Sequence, residues 1–431
     1  MCAKIPLSLP GKTRNMSKEI RWNIIETIII LLVISFGYLR HLERVKFHID
    51  ESFWIATSYM FEAYVKGEFW SDAWAESYQT VTNSPVPRYL IGVSRFIGGY
   101  RVPDLNRPWN YERGVNFNER AGAMPSDDLL WWSRLPMAIL AVASIWMAFW
   151  FVKKIAGHLA GYLWVISSVA SPFLLLQTRR AMAESSILFF VMLAAVFCYF
   201  AVKPLIHEQL PLGWKVWLYL GLSALCAGLA GESKLNGLAI VGAVLLSIAA
   251  ALWRRVDLSG PGKFIQFVKL SAFVMILTIV TFWVTYPYLW PDLWGRTIHV
   301  FQNRAKEMSE QTISHPVDHI DSFERRLTIM PARILEDYSP FPFRGAIYIN
   351  FFFTLLGMGI AASSALKWLR GNEESPAALV FLLTALAASV PAFFTMLDWD
   401  RYYLFPVVFS TMAVTIALGW LLQQAVTRYH V

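Results

Sequence analysis

Ile24-Ile25-Glu26-Thr27-Ile28-Ile29-Ile30-Leu31-Leu32-Val33-Ile34-Ser35-Phe36-Gly37-Tyr38-Leu39-Arg40 is the stretch whose reading decides the fold. A membrane span needs about 20 predominantly apolar residues, and runs of this kind recur nearly to the C-terminus. Bounded by charges, they predict about ten spans, near residues 22–40, 131–152, 155–176, 184–203, 214–231, 235–253, 265–287, 346–367, 377–397 and 402–423. Composition agrees. Of 431 residues 56% are hydrophobic and 16% charged, where a soluble domain carries roughly 25% charged residues, and mean hydropathy is +0.45. The expectation is an all-α polytopic membrane protein, with a tail over residues 1–21 and a single membrane domain over 22–431.

Basic residues in short loops favour the cytoplasmic side. With Lys4, Lys12, Arg14, Lys18 and Arg21 inside, alternation also brings Lys153 and Lys154, Lys203 and Lys215, Arg254, Arg255 and Lys263, Lys367 and Arg370, and Arg428 to that side. Two long segments, 42–130 and 288–345, are left outside. The first contains two expected interfacial helices, Ser52–Lys66 and Pro87–Phe96, and then a loop-like tract from Arg101 to Asp128. The net charge of +8 reports loop placement, and no basic tract interleaved with aromatics points to nucleic acid. Cys198 and Cys226 fall inside apolar runs and read as packing residues, so no disulfide framework is expected. Lys4 to Arg21 reads as a cytoplasmic tail ahead of an uncleaved first span.

Just beyond that span stands Phe47-His48-Ile49-Asp50-Glu51-Ser52-Phe53-Trp54. Four further polar clusters fall on the same outer face: Arg179-Arg180-Ala181-Met182-Ala183-Glu184, Glu232-Ser233-Lys234-Leu235-Asn236, Tyr286-Pro287-Tyr288-Leu289-Trp290 and Asp398-Trp399-Asp400-Arg401-Tyr402-Tyr403. Charge close to membrane depth is costly and tends to mark a site. Outer arginines and lysines run against the positive-inside preference, and a phosphate head group is their natural ligand. A carboxylate beside them has the chemistry of a general base for a hydroxyl.

Plainer readings compete with these. Asp50 and Glu51 suit a helix start, worth about 0.3–1 kcal/mol through the helix dipole. Arg179 and Arg180 can snorkel to head groups, Glu232 and Lys234 can form a local pair of roughly 0.2–1 kcal/mol, and Asp398, Asp400 and Arg401 can form a surface network. His48 reads as an ordinary polar neighbour. His299, His315 and His319 with Asp318 and Asp321 match no standard ligand spacing, and no metal site is assigned. Trp54, Tyr288 and Trp290 are candidates for stacking on a sugar.

The order of short motifs is more specific than any one of them. Tyr38-Leu39-Arg40 with Asp50-Glu51, Ser133-Arg134-Leu135-Pro136, Ser171-Pro172-Phe173 through Arg179 to Glu184, Ser233-Lys234-Leu235-Asn236-Gly237, Tyr286-Pro287, and Arg401-Tyr402-Tyr403 through Pro406 together resemble the protein O-mannosyltransferase family. That family, glycosyltransferase family 39, belongs to the GT-C fold group of polyprenyl-phosphate-sugar glycosyltransferases. The resemblance spreads over nearly the whole chain. It implies a GT-C bundle and an inverting transfer of a monosaccharide, mannose-like, from a polyprenyl- or dolichyl-phosphate donor to an acceptor hydroxyl on a protein, lipid or glycan. By it, Asp50 is the base and Glu51 its companion. Arg179, Lys234 and Arg401, with Arg40, hold the donor phosphate, and Glu184, Asn236 and Tyr286 support them. No cofactor is implied, and a divalent metal is left open. Glu184 departs from the Asp of many relatives. No soluble sugar-recognition module follows the last span, so the expected setting is a prokaryotic plasma membrane with the site on the outer face. The rivals are a secondary transporter or channel, whose charges would line a path near the bilayer midplane, and a non-catalytic lipid-binding relative.

Overall fold

A computed structural model describes residues 11–208, 210–339, 345–373 and 375–429. The first helix is α1 (Gly11–Leu39). The first long loop folds into α2 (Ile49–Ala56), α3 (Met60–Val65), α4 (Tyr78–Thr82), α5 (Val86–Ile97) and α6 (Val115–Arg120). Then come α7 (Asp127–Ala170), α8 (Pro172–Arg179), α9 (Glu184–Leu205), α10 (Trp214–Ser233), α11 (Ile240–Arg254) and α12 (Gly260–Val284). The second long loop carries α13 (Leu293–Ser314) and α14 (Phe323–Ala332), before α15 (Ala346–Leu369), α16 (Ala377–Phe393) and α17 (Leu404–Tyr429). Among the described residues the only β-pairing is an isolated bridge between His319 and Leu397.

Seven of these helices, and α11 together with the 3-10 turn Leu235–Ala239 that leads into it, are long and apolar enough to cross a membrane, and α16 is a shorter apolar helix of 17 residues. One more crossing is folded inside α7. Its 44 residues break at Ala156 (φ −133°, ψ 16°) and Gly157 (φ +82°, ψ 179°). Beyond the break the chain doubles back: Trp164 Nε1 donates to Ile145 O at 2.9 Å, and the Phe149 and Tyr162 rings stack with centroids 6.3 Å apart. An unbroken helix would hold these pairs roughly 20–30 Å apart. Glycine takes positive φ without steric penalty, so Gly157 turns one helix into a hairpin of two arms. The returning arm lies along α1, with His158 Nδ1 and Tyr162 OH at 2.6 and 2.7 Å from Glu26 at one end and Tyr38 donating to Ser168 O at 3.2 Å at the other. Counted this way, the ten expected crossings are present.

Helices in lipid associate through close packing of small residues, since lipid tails are as apolar as leucine. Ala194 and Ala195 of α9 and Ala224 and Ala227 of α10 are all buried in one core. At Gly357 of α15 a Cβ would lie 1.8 Å from the Ala413 carbonyl oxygen of α17, so only glycine admits that approach. At one end of the bundle Arg254 lies over the Trp368 ring at 4.6 Å and donates to Glu373 O at 3.4 Å, while Arg255 donates to Leu205 O at 3.4 Å. The turns after α9, α11 and α15 therefore meet, as alternation of the spans requires.

At the other end the first long loop is packed more tightly than interfacial helices alone would be. Arg95 of α5 is fully buried in a bidentate pair with Glu62 of α3 (2.6 and 2.7 Å) and gives Nε to Ser58 Oγ at 2.7 Å. The tract from Arg101 to Asp128, expected as loop, contains α6 and the start of α7, which Ser126 caps.

Candidate active site

Asp50 and Glu51 are neighbours in sequence and occupy different surroundings. His48 is the N-cap of α2, extended at φ −117° and ψ 137°. Its Nδ1 accepts from Asp50 N at 3.1 Å, and its own N–H donates to Glu51 Oε2 at 3.0 Å. An accepting Nδ1 assigns the ring proton to Nε2 and makes the imidazole neutral. Burial, with Arg401 and Arg180 adding to it, lowers the His48 pKa against the pull of Asp50 and Glu184. The 3.8 Å approach of Nδ1 to Asp50 Oδ2 is then a near contact and not an ion pair.

Glu51 is fully buried. Its Oε1 accepts from Arg134 Nε and from Ala181 N, both at 2.8 Å, and its Oε2 accepts from Arg134 Nη2 at 2.7 Å as well as from His48 N. Arg134, equally buried, gives Nη1 to Leu42 O at 2.9 Å. The pair ties together the first loop, the first arm of α7 and the turn before α9. The helix-start reading holds for Glu51, which caps α2 and belongs to the frame of the site.

Asp50 and Arg401 are each under one-fifth exposed and form a short ion pair through Oδ2 and Nη1. Tyr111 OH donates to Asp50 Oδ1 at 2.9 Å. Burial pushes the Asp50 carboxyl up, but the Arg401 guanidinium and the Tyr111 hydroxyl outweigh it and hold the group below the usual carboxylate range. Burial and the Asp50 carboxylate together raise the Tyr111 phenol, which stays protonated and donating.

Tyr402 gathers the cations. The Arg401 guanidinium carbon lies 5.8 Å from its ring centroid and Lys234 Nζ 5.1 Å, distances at which the ring quadrupole attracts cations. Lys234 also meets Glu184 Oε1 at 3.2 Å. Arg180, 5% exposed, donates Nε to Lys46 O at 3.2 Å, and Glu51, Asp400 and Glu184 lie in its electrostatic reach. Asp400 accepts from Gln177 Nε2 at 2.7 Å. Asp398 is held by Arg333 (2.8 Å) and Tyr403 (2.8 Å).

Not every expected residue joins this cluster. Arg179 donates Nη2 to the carbonyls of Arg40 (2.5 Å) and His41 (3.0 Å), closing the C-terminal end of α1 as basic side chains there often do. The Arg40 side chain is exposed and lies 5.0 Å over the Phe36 ring. Of the four expected phosphate ligands, Lys234 and Arg401 stand together with Asp50, while Arg179 and Arg40 are engaged elsewhere. Trp54 (7% exposed) and Tyr288 (0%) are buried and offer no face to a sugar. Tyr111 escapes a reading of the sequence, because its tract shows no periodicity to single it out. His299 contacts Tyr288 OH at 3.2 Å, while His315 packs edge-on against Trp399. Among the described residues no three His, Cys, Asp or Glu side chains come together in a way that could hold a metal.

Among the described residues the Asn236 and Tyr286 side chains make no hydrogen bond with this cluster, and Tyr286 lies within electrostatic reach of Glu232 instead. Tyr286 OH, Asn236 Oδ1 and both Glu232 carboxylate oxygens are buried with no hydrogen-bond partner among the described residues. Glu232 forms no local pair with Lys234, which turns to Glu184. A buried carboxylate without donors is costly, so Glu232→Leu is expected to melt at or above the wild-type temperature in detergent. A melting point several degrees lower would mean that the carboxylate is bonded.

The family model for dolichyl-phosphate-mannose-protein mannosyltransferase matches residues 53–294, more than half of the chain. Comparison with curated proteins finds no match. Among solved structures, the archaeal oligosaccharyltransferase AglB from Archaeoglobus fulgidus, in complex with an inhibitory peptide and a dolichol-phosphate, is similar with a TM-score of 0.53 and 13% identity over 94% of this chain and 51% of that one. ArnT from Cupriavidus metallidurans, bound to undecaprenyl phosphate, is similar with a TM-score of 0.50 and 13% identity over 92% of this chain and 60% of that one. The chain thus spans half to three-fifths of the length of these proteins, and the likeness is one of fold.

Proposed function

The chain belongs to the dolichyl-phosphate-mannose-protein mannosyltransferase family, and from that premise we propose that it transfers a mannose-like sugar, with inversion, from a polyprenyl- or dolichyl-phosphate donor to an acceptor hydroxyl at the outer membrane face. One observation carries this reading: the Asp50 carboxylate touches Arg401, and Arg401 shares the Tyr402 ring with Lys234. A base and two cations are thereby assembled at one end of an apolar bundle.

In this reading Asp50 takes the proton of the acceptor hydroxyl, whose oxygen attacks the anomeric carbon opposite the phosphate. The bond from that carbon to the phosphate oxygen breaks, and its electron pair stays on the phosphate, which passes from one negative charge to two. Arg401 and Lys234, with Arg180, stabilise the charge that develops there. Glu184 keeps Lys234 in place until the phosphate arrives. The ion pairs gather where α9 and α17 begin and α10 ends, which favours chemistry at a membrane face over a permeation path.

Arg401 has two claims on it, Asp50 and the phosphate, and the second frees the first. The rate constant kcat/KM for the donor reports the free enzyme and kcat the donor complex. Only ionised Asp50 acts as base, and Arg401 depresses its pKa in the free protein. The acid limb of kcat is therefore expected at higher pH than that of kcat/KM, with the two limbs converging in Arg401→Gln. Coincident limbs in the wild type would remove the exchange from the mechanism.

The decisive experiment supplies purified protein in nanodiscs with a panel of radiolabelled polyprenyl-phosphate monosaccharides and a membrane extract as acceptor. Transfer from one lipid donor, with the anomeric configuration inverted by NMR, is the expected result. Protein that binds none of the donors and transfers from none of them rules the proposal out.

A further inference from the structure

We propose that Arg304, on α13 of the second long loop, is a further ligand of the donor phosphate beside Arg401, Lys234 and Arg180, with Glu307 as the carboxylate that holds it beforehand. The inference rests on the donor reading above, and Arg304 lies beyond the segment matched by the family model.

Arg304 Nη2 donates to Tyr402 OH at 3.3 Å, so the phenol whose ring faces Lys234 Nζ at 5.1 Å and the Arg401 guanidinium at 5.8 Å also meets a third cation. Three like charges around one ring repel one another unless anions separate them. Each has its own: Lys234 meets Glu184 at 3.2 Å, Arg304 meets Glu307 at 2.6 Å, and Arg401 meets Asp50. A phosphate that draws Arg401 from Asp50 enters the same ring of cations. The Arg304 side chain is 25% exposed, open enough to turn, and as a fork of donors it suits a phosphate oxygen pair. Glu307 does not depend on Arg304 for its place, because Oε1 accepts from Tyr78 OH at 3.1 Å and from Gln311 Nε2 at 3.2 Å.

A merely structural Arg304 would dock α13 through Tyr402, with Glu307 of the same helix holding its guanidinium in that position, and removing either member of the ion pair would then have the same sign. As a phosphate ligand restrained by Glu307, it predicts opposite signs. Binding of a polyprenyl monophosphate to the full-length protein in nanodiscs is the measurement, with a thermal melt of each variant alongside. Arg304→Gln is expected to weaken binding by about ten- to a hundredfold, the loss typical of a charge-assisted contact, Arg304→Lys by less, and Glu307→Gln to leave it unchanged or tighter. Wild-type affinity in Arg304→Gln, or equal weakening in Arg304→Gln and Glu307→Gln, overturns the proposal. If Arg304→Gln does not fold, the pair Arg304→Lys and Glu307→Gln decides by the same opposition of sign. A wild-type protein that binds no polyprenyl monophosphate fails the donor reading itself, a result distinct from an Arg304 variant that binds normally.

Discussion

Replacing Asp50 by Asn is expected to lower kcat by about 10²–10⁴-fold, the range supplied by a positioned general base, while the lipid donor still binds. The asymmetry follows from the contacts. The Asp50→Asn variant keeps the backbone N–H that His48 accepts and an oxygen for Tyr111 to donate to, so the start of α2 has what it needs to fold. What it loses is the charge that engages Arg401. Arg401 is then free for the phosphate, and the donor KM should fall or stay level while turnover collapses. Parallel loss of donor affinity would assign Asp50 to binding, and an Asp50→Asn protein that transfers sugar at the wild-type rate would exclude the carboxylate as the base.

Replacing Glu51 by Ala is expected to damage the fold. The carboxylate is fully buried and accepts from Arg134 twice, from Ala181 N and from His48 N. Its removal leaves the Arg134 guanidinium buried without its counter-charge, a change that costs about 3–5 kcal/mol. Glu51→Ala and Arg134→Ala should each lower the melting temperature in detergent markedly. The double variant should lose less than the two single losses combined, since the second truncation removes the charge that the first one stranded; coupling of about 0.5–3 kcal/mol is usual for residues in contact. Strict additivity would mean that the two groups do not depend on one another. Activity is lost here as well, and stability is what separates the cause: the Asp50→Asn protein melts near the wild type and the Glu51→Ala protein well below it.

The two adjacent acids mark how far the sequence can be read. A capping interpretation and a catalytic interpretation compete for Asp50-Glu51 as a unit, and each describes one of the two residues. Successive residues of a helix are turned by about 100°, so neighbours in sequence face different partners. Asp50 meets Arg401, 351 positions away, and Glu51 meets Arg134, 83 positions away. The same holds for Arg179 and Arg180, where the first closes the end of α1 and the second lies within electrostatic reach of Glu184 and Asp400. Tyr111 reaches the cluster from a tract without periodicity, and Arg304 from a helix of the second long loop in which no motif singles it out.

By itself the sequence determined the membrane bundle, its crossings and the end at which the polar clusters gather. A span is a local property: about 20 contiguous apolar residues suffice, and the charges that bound each run set the alternation. The order of short motifs likewise carried the family, because order survives without any knowledge of contacts. Only the tertiary structure decided which carboxylate faces the cations, which arginine of a pair is committed to backbone carbonyls, and that α7 doubles back at Gly157. Those outcomes depend on the side chains that distant helices bring within about 3 Å, the range in which hydrogen bonds and ion pairs form, and no local pattern along the chain records that distance.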